Sequence, residues 1–190
     1  SLVSNLFLLF VAASVLVYYI VPHKFQWLVL LCFSYIYYLA GGVRYVGFLL
    51  FSTLVTWLIA LAVEKTEAKG SHKGARNLLV LGLLLNFGML GVVKYTNFAI
   101  ENLNALFHMN LRGMEILLPL GISFYTFQSS GYLLDVYWKR CEAEKNPVKY
   151  ALFVSFFPQI LQGPIGRYSR LAHQLYEPHK FEGKNITRGF

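Results

Sequence analysis

Long apolar blocks separated by short charged connections limit what this chain can become more than any other feature. Leu2 to Val21, Phe25 to Ala40, Tyr45 to Val63, Leu78 to Ile100 and Leu117 to Trp138 each run 16 to 23 residues with hardly a charge inside. A bilayer core about 30 Å thick is crossed by roughly 20 apolar residues of helix. Five such blocks in 190 residues leave too little polar sequence to coat a soluble core, so they predict an all-α, polytopic transmembrane fold. The first block has no Lys or Arg before Lys24 and ends in Tyr18, Tyr19, Ile20, Val21 and Pro22. It reads as a retained helix with an interfacial aromatic pair, not as a cleaved secretory signal. The whole of 1–190 is expected to form a single membrane domain.

Charge confirms the setting. The formal net charge is +8, but the seventeen Lys and Arg residues fall mostly between the apolar blocks. That placement speaks for membrane orientation and against nucleic-acid binding. Two connections hold most of it: Glu64 to Asn77, with Lys65, Lys69, Lys73 and Arg76, and the stretch with Lys139, Arg140, Lys145 and Lys149. Two spans separate them, so they are expected on one side, the cytoplasmic one, with the N-terminus outside. The expected location is the plasma or inner membrane, multi-pass. Cys32 lies in an apolar run and Cys141 in a charged loop, which implies neither a disulfide framework nor a zinc site. No metal is expected.

Two stretches depart from plain spans. Within the fifth block Ser123, Tyr125, Thr126, Gln128, Ser129 and Ser130 put polar groups at membrane depth, with Tyr132 following. Such groups are costly unless they face protein or water, so the stripe either bonds to neighbouring helices or lines a polar path. Asp135 and Lys139 stand four apart, the spacing of a same-face ion pair on one helix. From Tyr150 onward, seven apolar residues run into Pro158, and the sequence then turns basic and amphipathic through Gln159, Gly163, Pro164, Gly166 and Arg167. This predicts a re-entrant or interfacial cytoplasmic element over 150–176, its backbone covered by protein. Arg167, beside the Gly163–Pro164 turn, is suited to a phosphate or an anionic carrier.

None of the five histidines is centred in a polar-lined apolar segment, where a base would be shielded and tuned. There is no Ser-His-Asp set and no Gly-rich phosphate cradle. The residues alone leave three readings open: an enzyme, a transporter or channel component with a polar-lined helix, and a membrane scaffold recruiting partners through its basic loops. A transporter would be expected to show related halves, and none is visible.

The stretches PLGISFYTFQ (Pro119 to Gln128), the following YLLDVY, FFPQILQGPIGRY (Phe156 to Tyr168) and KYTNF after Val93 resemble the membrane-bound O-acyltransferase family, in its alginate O-acetyltransferase-like branch. The resemblance implies the N-terminal portion of a multi-helix enzyme that moves an acyl group, in this branch acetyl, onto hydroxyls of an exported polysaccharide. It implies an acyl thioester as co-substrate and no bound cofactor. Its partners would be the bilayer, an acyl-donor or carrier protein on the cytoplasmic side, and polysaccharide-modifying proteins outside. The family's histidine sits in a Trp- and Arg-rich stretch that does not occur here and would lie beyond Phe190, so this fragment alone is expected to be inactive. Tyr125, Gln128, Asp135, Gln159, Gly163, Pro164 and Arg167 are the positions expected to form tunnel or cytoplasmic-rim structure.

Overall fold

The computed structural model describes residues 2–107, 121–162 and 166–177. Its elements are α1 (Leu2–Ile20), a 3-10 turn (His23–Phe25), α2 (Gln26–Gly41), α3 (Val43–Ala68), α4 (His72–Phe107), α5 (Ile122–Tyr137), α6 (Pro147–Ser155), α7 (Phe157–Gln162) and α8 (Tyr168–Tyr176). There is no strand among the described residues. Val46–Ala68 and His72–Thr96 are long and apolar enough to cross a membrane, and α1 carries the shorter apolar segment Asn5–Ile20. The chain is an all-α membrane protein.

The polar connections are shorter than the sequence suggests. The expected loop Glu64 to Asn77 shrinks to Lys69, Gly70 and Ser71, because α3 runs on to Ala68 and α4 starts at His72. Gly70, at φ 77°, lets its own N–H reach the Glu67 carbonyl at 2.9 Å while the Ser71 N–H reaches that of Thr66 at 3.2 Å. This pair of bonds closes a helix on a left-handed residue. Charged residues flanking an apolar block thus continue its helix until a glycine can end it.

At its far end α4 continues past Ile100, where its apolar block ends, as far as Phe107. Its 36 residues make a rod of roughly 54 Å, well beyond the hydrocarbon thickness. The expected fifth span, Leu117 to Trp138, is seen as the 16 residues of α5, and Leu117–Leu120 lie outside the described residues.

Helices α3, α4 and α5 pack on one another. Gly82 permits the approach: a Cβ there would stand 2.8 Å from Leu133 Cδ1 and 3.1 Å from Ile59 Cγ2. Across the α3–α4 seam the Ser52 hydroxyl donates to Asn86 Oδ1 at 2.8 Å, and Asn86 Nδ2 donates to Thr56 Oγ1 at 2.9 Å. Polar bonds of this kind hold helices together where lipid offers no hydrophobic drive. α1 lies against α2 through Phe10, whose ring meets Phe33 and Phe157, each at 5.3 Å. Its other face leaves Leu6, Leu9, Leu16 and Ile20 exposed.

The element after α5 is inside the protein. Asn146 caps α6 by accepting the Val148 N–H at 2.9 Å, with Pro147 at a position that needs no donor. Leu152, Phe153, Val154 and Ser155 are all buried, so successive residues on every face of α6 meet protein, namely α2, α3, α5 and α8. α8 is two-faced: Tyr168, Ala172 and Leu175 point inward, and Ser169, Arg170, His173 and Gln174 outward.

Candidate functional site

Helix α5 carries the polar stripe into the interior. Tyr125, Thr126, Gln128, Ser129, Ser130, Tyr132 and Asp135 are all buried, and Phe127 is the large residue it exposes. Tyr125, Gln128, Tyr132 and Asp135 follow the i, i+3, i+4 rhythm of one helical face.

Gln128 meets the break between α6 and α7. A broken helix leaves carbonyls and N–H groups without their usual partners. The Phe153 carbonyl would ordinarily take the Phe157 N–H, but Phe156 (φ −55°, ψ 103°) turns the chain between them. Instead Gln128 Nε2 donates to the Phe153 carbonyl at 3.0 Å, and the Phe157 N–H finds Ser34 Oγ of α2 at 3.3 Å. Pro158 sits second in α7, where a missing N–H is harmless, so it opens a new short helix as well as ending the old one.

The same Gln128 nitrogen lies 3.2 Å from Gln159 Oε1. Gly166 closes the group, because a Cβ there would collide with the Gln159 amide nitrogen. The structure therefore unites Gln128, Gln159 and Gly166. It places Tyr125 one turn away on the same buried face, and Asp135 two turns on in the other direction. Arg167 begins α8 on the exposed side, and Gly163 and Pro164 lie outside the described residues.

The hydroxyls of Tyr125, Thr126 and Ser130, and Gln128 Oε1, are buried with no hydrogen-bond partner among the described residues. Gln128 thus does bond to neighbouring elements, and Ser129 faces the Tyr150 hydroxyl of α6, while the hydroxyls of Tyr125, Thr126 and Ser130 are not consumed in tying helices together.

The expected Asp135–Lys139 pair does not form. α5 ends at Tyr137 and Lys139 takes φ 57°, while the Lys139 N–H bonds the Val136 carbonyl at 3.0 Å and the Arg140 N–H that of Asp135 at 2.8 Å. That left-handed closure throws Lys139 off the Asp135 face. Lys139 Nζ reaches Glu67 of α3 at 3.4 Å, and Asp135 takes Arg140 instead, at 3.5 Å. Arg140 also lies over the Trp138 ring, 4.6 Å from its centre.

Glu144 organises the basic end, and nothing in the sequence singled it out. Its Oε2 accepts the Tyr168 hydroxyl at 2.6 Å and its Oε1 the Asn146 N–H at 2.9 Å. Its own N–H donates to the Tyr132 hydroxyl at 2.8 Å, and its carbonyl accepts Trp57 Nε1 at 2.7 Å. One loop residue thereby joins α3, α5 and α8. Glu64 adds a further tie, accepting the Ala143 N–H at 2.8 Å. Because Glu64 and Glu67 both reach the 139–144 loop, the two basic connections stand at the same end of the molecule.

Between the 141–145 loop and α8 lies an open groove of 570 Å³, with Tyr168, Ala172 and Tyr176 on one wall and Lys145 and His173 at its edge. Cys141 borders it. Burial, then the carboxylates of Asp135 and Glu64, push that thiol up to about 11, so at neutral pH it is no nucleophile. His23, His72 and His173 are exposed, away from the buried stripe; His108 and His179 lie outside the described residues.

Comparison with known proteins gives the arrangement a context. The chain is 35% identical over 178 residues to "Probable alginate O-acetylase AlgI" of Azotobacter vinelandii, covering 90% of this chain and 35% of that protein. It is 34% identical to the protein of the same name from Pseudomonas aeruginosa, over 90% of this chain and 34% of the other. To the "Peptidoglycan O-acetyltransferase" of Helicobacter pylori it is 33% identical, over 86% of this chain and 35% of the other. The chain thus spans about a third of the length of these curated relatives. No family model matches it, and no solved structure matches it.

Proposed function

This chain belongs to the membrane-bound O-acyltransferase family, and we propose that it is the N-terminal part of an enzyme that acetylates hydroxyls of an exported polysaccharide. The observation that carries the reading is the α5 stripe. Buried hydroxyls whose bonding capacity no neighbouring helix takes up are what a path for a polar acceptor requires. Gln128 and Gln159 hold that stripe against the broken α6–α7 element, and Gly166 allows the chain to pass close beside them.

In the reaction, an acceptor hydroxyl oxygen attacks the carbonyl carbon of an acyl thioester. The C–S bond breaks, the thiolate leaves, and a base takes the hydroxyl proton as the ester forms. The base is a histidine carried by the remaining two-thirds of the length the relatives have. These 190 residues alone therefore do not turn over. The basic end faces the cytoplasm with the N-terminus outside, and the protein is a multi-pass component of the plasma or inner membrane. The acyl donor or its carrier protein approaches the groove between the 141–145 loop and α8. Polysaccharide-modifying proteins work on the outer side. Arg167 and the turn at Gly163 and Pro164 belong to the cytoplasmic rim.

The test is transfer of labelled acetyl from a thioester to polysaccharide by the full-length protein in proteoliposomes. Transfer that is lost when the downstream histidine is replaced, and cut about tenfold to a hundredfold by Gln128→Leu through misplacement of the path, supports the proposal. Solute flux across the vesicle wall without ester formation refutes it.

A further inference from the structure

The turn between α3 and α4 presents Lys65, Lys69, Lys73 and Arg76, all exposed and none with a carboxylate in ion-pair range among the described residues. Of the acids that share this end, Glu142 is exposed on the loop after α5, and the others are engaged elsewhere. Glu64 accepts the Ala143 N–H, and Glu67 faces His72 and Lys139. Glu144 is turned inward to Tyr168 and Asn146. Four cations against one exposed acid leave positive charge in excess along this edge.

The depth of that edge favours lipid over a soluble partner. The apolar runs end at Val63 and resume at Leu78. Lys65 and Arg76 each stand two residues beyond an apolar run, so their backbones lie roughly 3 Å outside its edge, at headgroup level. Side chains so placed lay their stems over the interface and deliver their charges among the phosphates. Lys69 and Lys73 stand just above them. Trp138, exposed and stacked on Arg140, marks the same headgroup depth from the end of α5.

We infer that the α3–α4 turn is a seat for the phosphodiester headgroups of anionic phospholipid, held by Lys65, Lys69, Lys73 and Arg76. The inference rests on the membrane placement of α3 and α4 and is independent of the acetyl-transfer reading.

The test places the full-length protein in nanodiscs of phosphatidylcholine with one-fifth phosphatidylglycerol and measures, by electron spin resonance, association of spin-labelled phosphatidylglycerol relative to spin-labelled phosphatidylcholine. The wild type is expected to prefer the anionic lipid, and added salt is expected to weaken the preference. Changing all four residues to Gln lowers the preference at least tenfold or to parity, given the strength of each cation near an anionic surface. The four-fold Lys/Arg swap, with Lys65, Lys69 and Lys73 changed to Arg and Arg76 to Lys, keeps it and controls for folding and orientation. Gln at Lys145, Arg167 and Arg170, cations at the same end on other elements, also leaves it in place. An undiminished preference in the Gln variant overturns the inference. So does a Gln variant that keeps its lipid preference but loses binding of an acidic carrier protein, since the edge would then be a protein-docking surface.

Discussion

Gln128 is the residue on which the interior turns, and its amide does two tasks with one nitrogen. Replacing it with Leu leaves the Phe153 carbonyl buried without a donor, which costs about 1–3 kcal/mol. Thermal unfolding of the purified protein should show the loss, and Gln128→Glu should show it too, because a carboxylate cannot donate to that carbonyl. Equal stability of all three proteins would mean that the bond does not form. Cys141 offers a pH-resolved check of the basic end. Against an ordinary thiol of value 9.0, one held near 11 has about a hundredfold less thiolate at any pH below 9. Alkylation at pH 8 should be slow by about that factor and should climb steadily towards pH 11. Asp135→Asn removes one of the neighbouring charges and should speed it. Gln128 was legible from the sequence because an amide amid apolar residues has to be explained. Glu144 was not, because a glutamate among lysines looks solvated until the fold brings Tyr132, Tyr168 and Trp57 around it.

At the scale of the helix, apolar block length located the elements well and their ends poorly. The block edge marks where side chains stop being apolar, whereas a helix stops where its last carbonyls find partners. Hence α3 passes Val63 to end at Ala68, where Gly70 closes it, and α4 passes Ile100 to reach Phe107. The Asp135–Lys139 expectation failed for the same reason: the spacing rule holds only while the helix lasts, and α5 ends between the two residues. The α6–α7 break was half visible. Pro158 announced it, but the groups that satisfy it, Ser34 and Gln128, come from 123 and 25 residues away. Close packing of α4 on its neighbours makes the prediction at this scale. Gly82→Val would drive a branched side chain into Leu133 and Ile59, and overpacking of this kind costs about 1–3 kcal/mol. Gly88→Val, where a Cβ meets nothing within 4 Å, should be tolerated far better. Comparable losses of melting temperature in the two variants would show that helix propensity, not the contact of α3, α4 and α5, governs position 82.

Across the whole molecule, the internal bonds tie the two basic connections together, and α4 leads away from them. Lys139 to Glu67 and the Ala143 N–H to Glu64 fix the 138–146 loop against the end of α3. The ion pair itself is worth little because Lys139 is 68% exposed, whereas the bond from the Ala143 N–H to the Glu64 carboxylate is part-buried and less screened by salt. From that end α4 extends roughly 54 Å, so its last turns emerge beyond a 30 Å core on the far side. Single cysteines at Lys69, Lys145 and Leu103, in the full-length protein with Cys32 and Cys141 replaced by Ser, turn this geometry into a labelling pattern. A membrane-impermeant maleimide added to sealed vesicles of one orientation should reach Lys69→Cys and Lys145→Cys from one side together, and Leu103→Cys only from the other. Labelling of the first two from opposite sides would contradict both hydrogen-bonded ties at once. Labelling of all three from one side would mean that α4 lies along the membrane instead of crossing it, and the polar stripe of α5 would then lose its place at membrane depth.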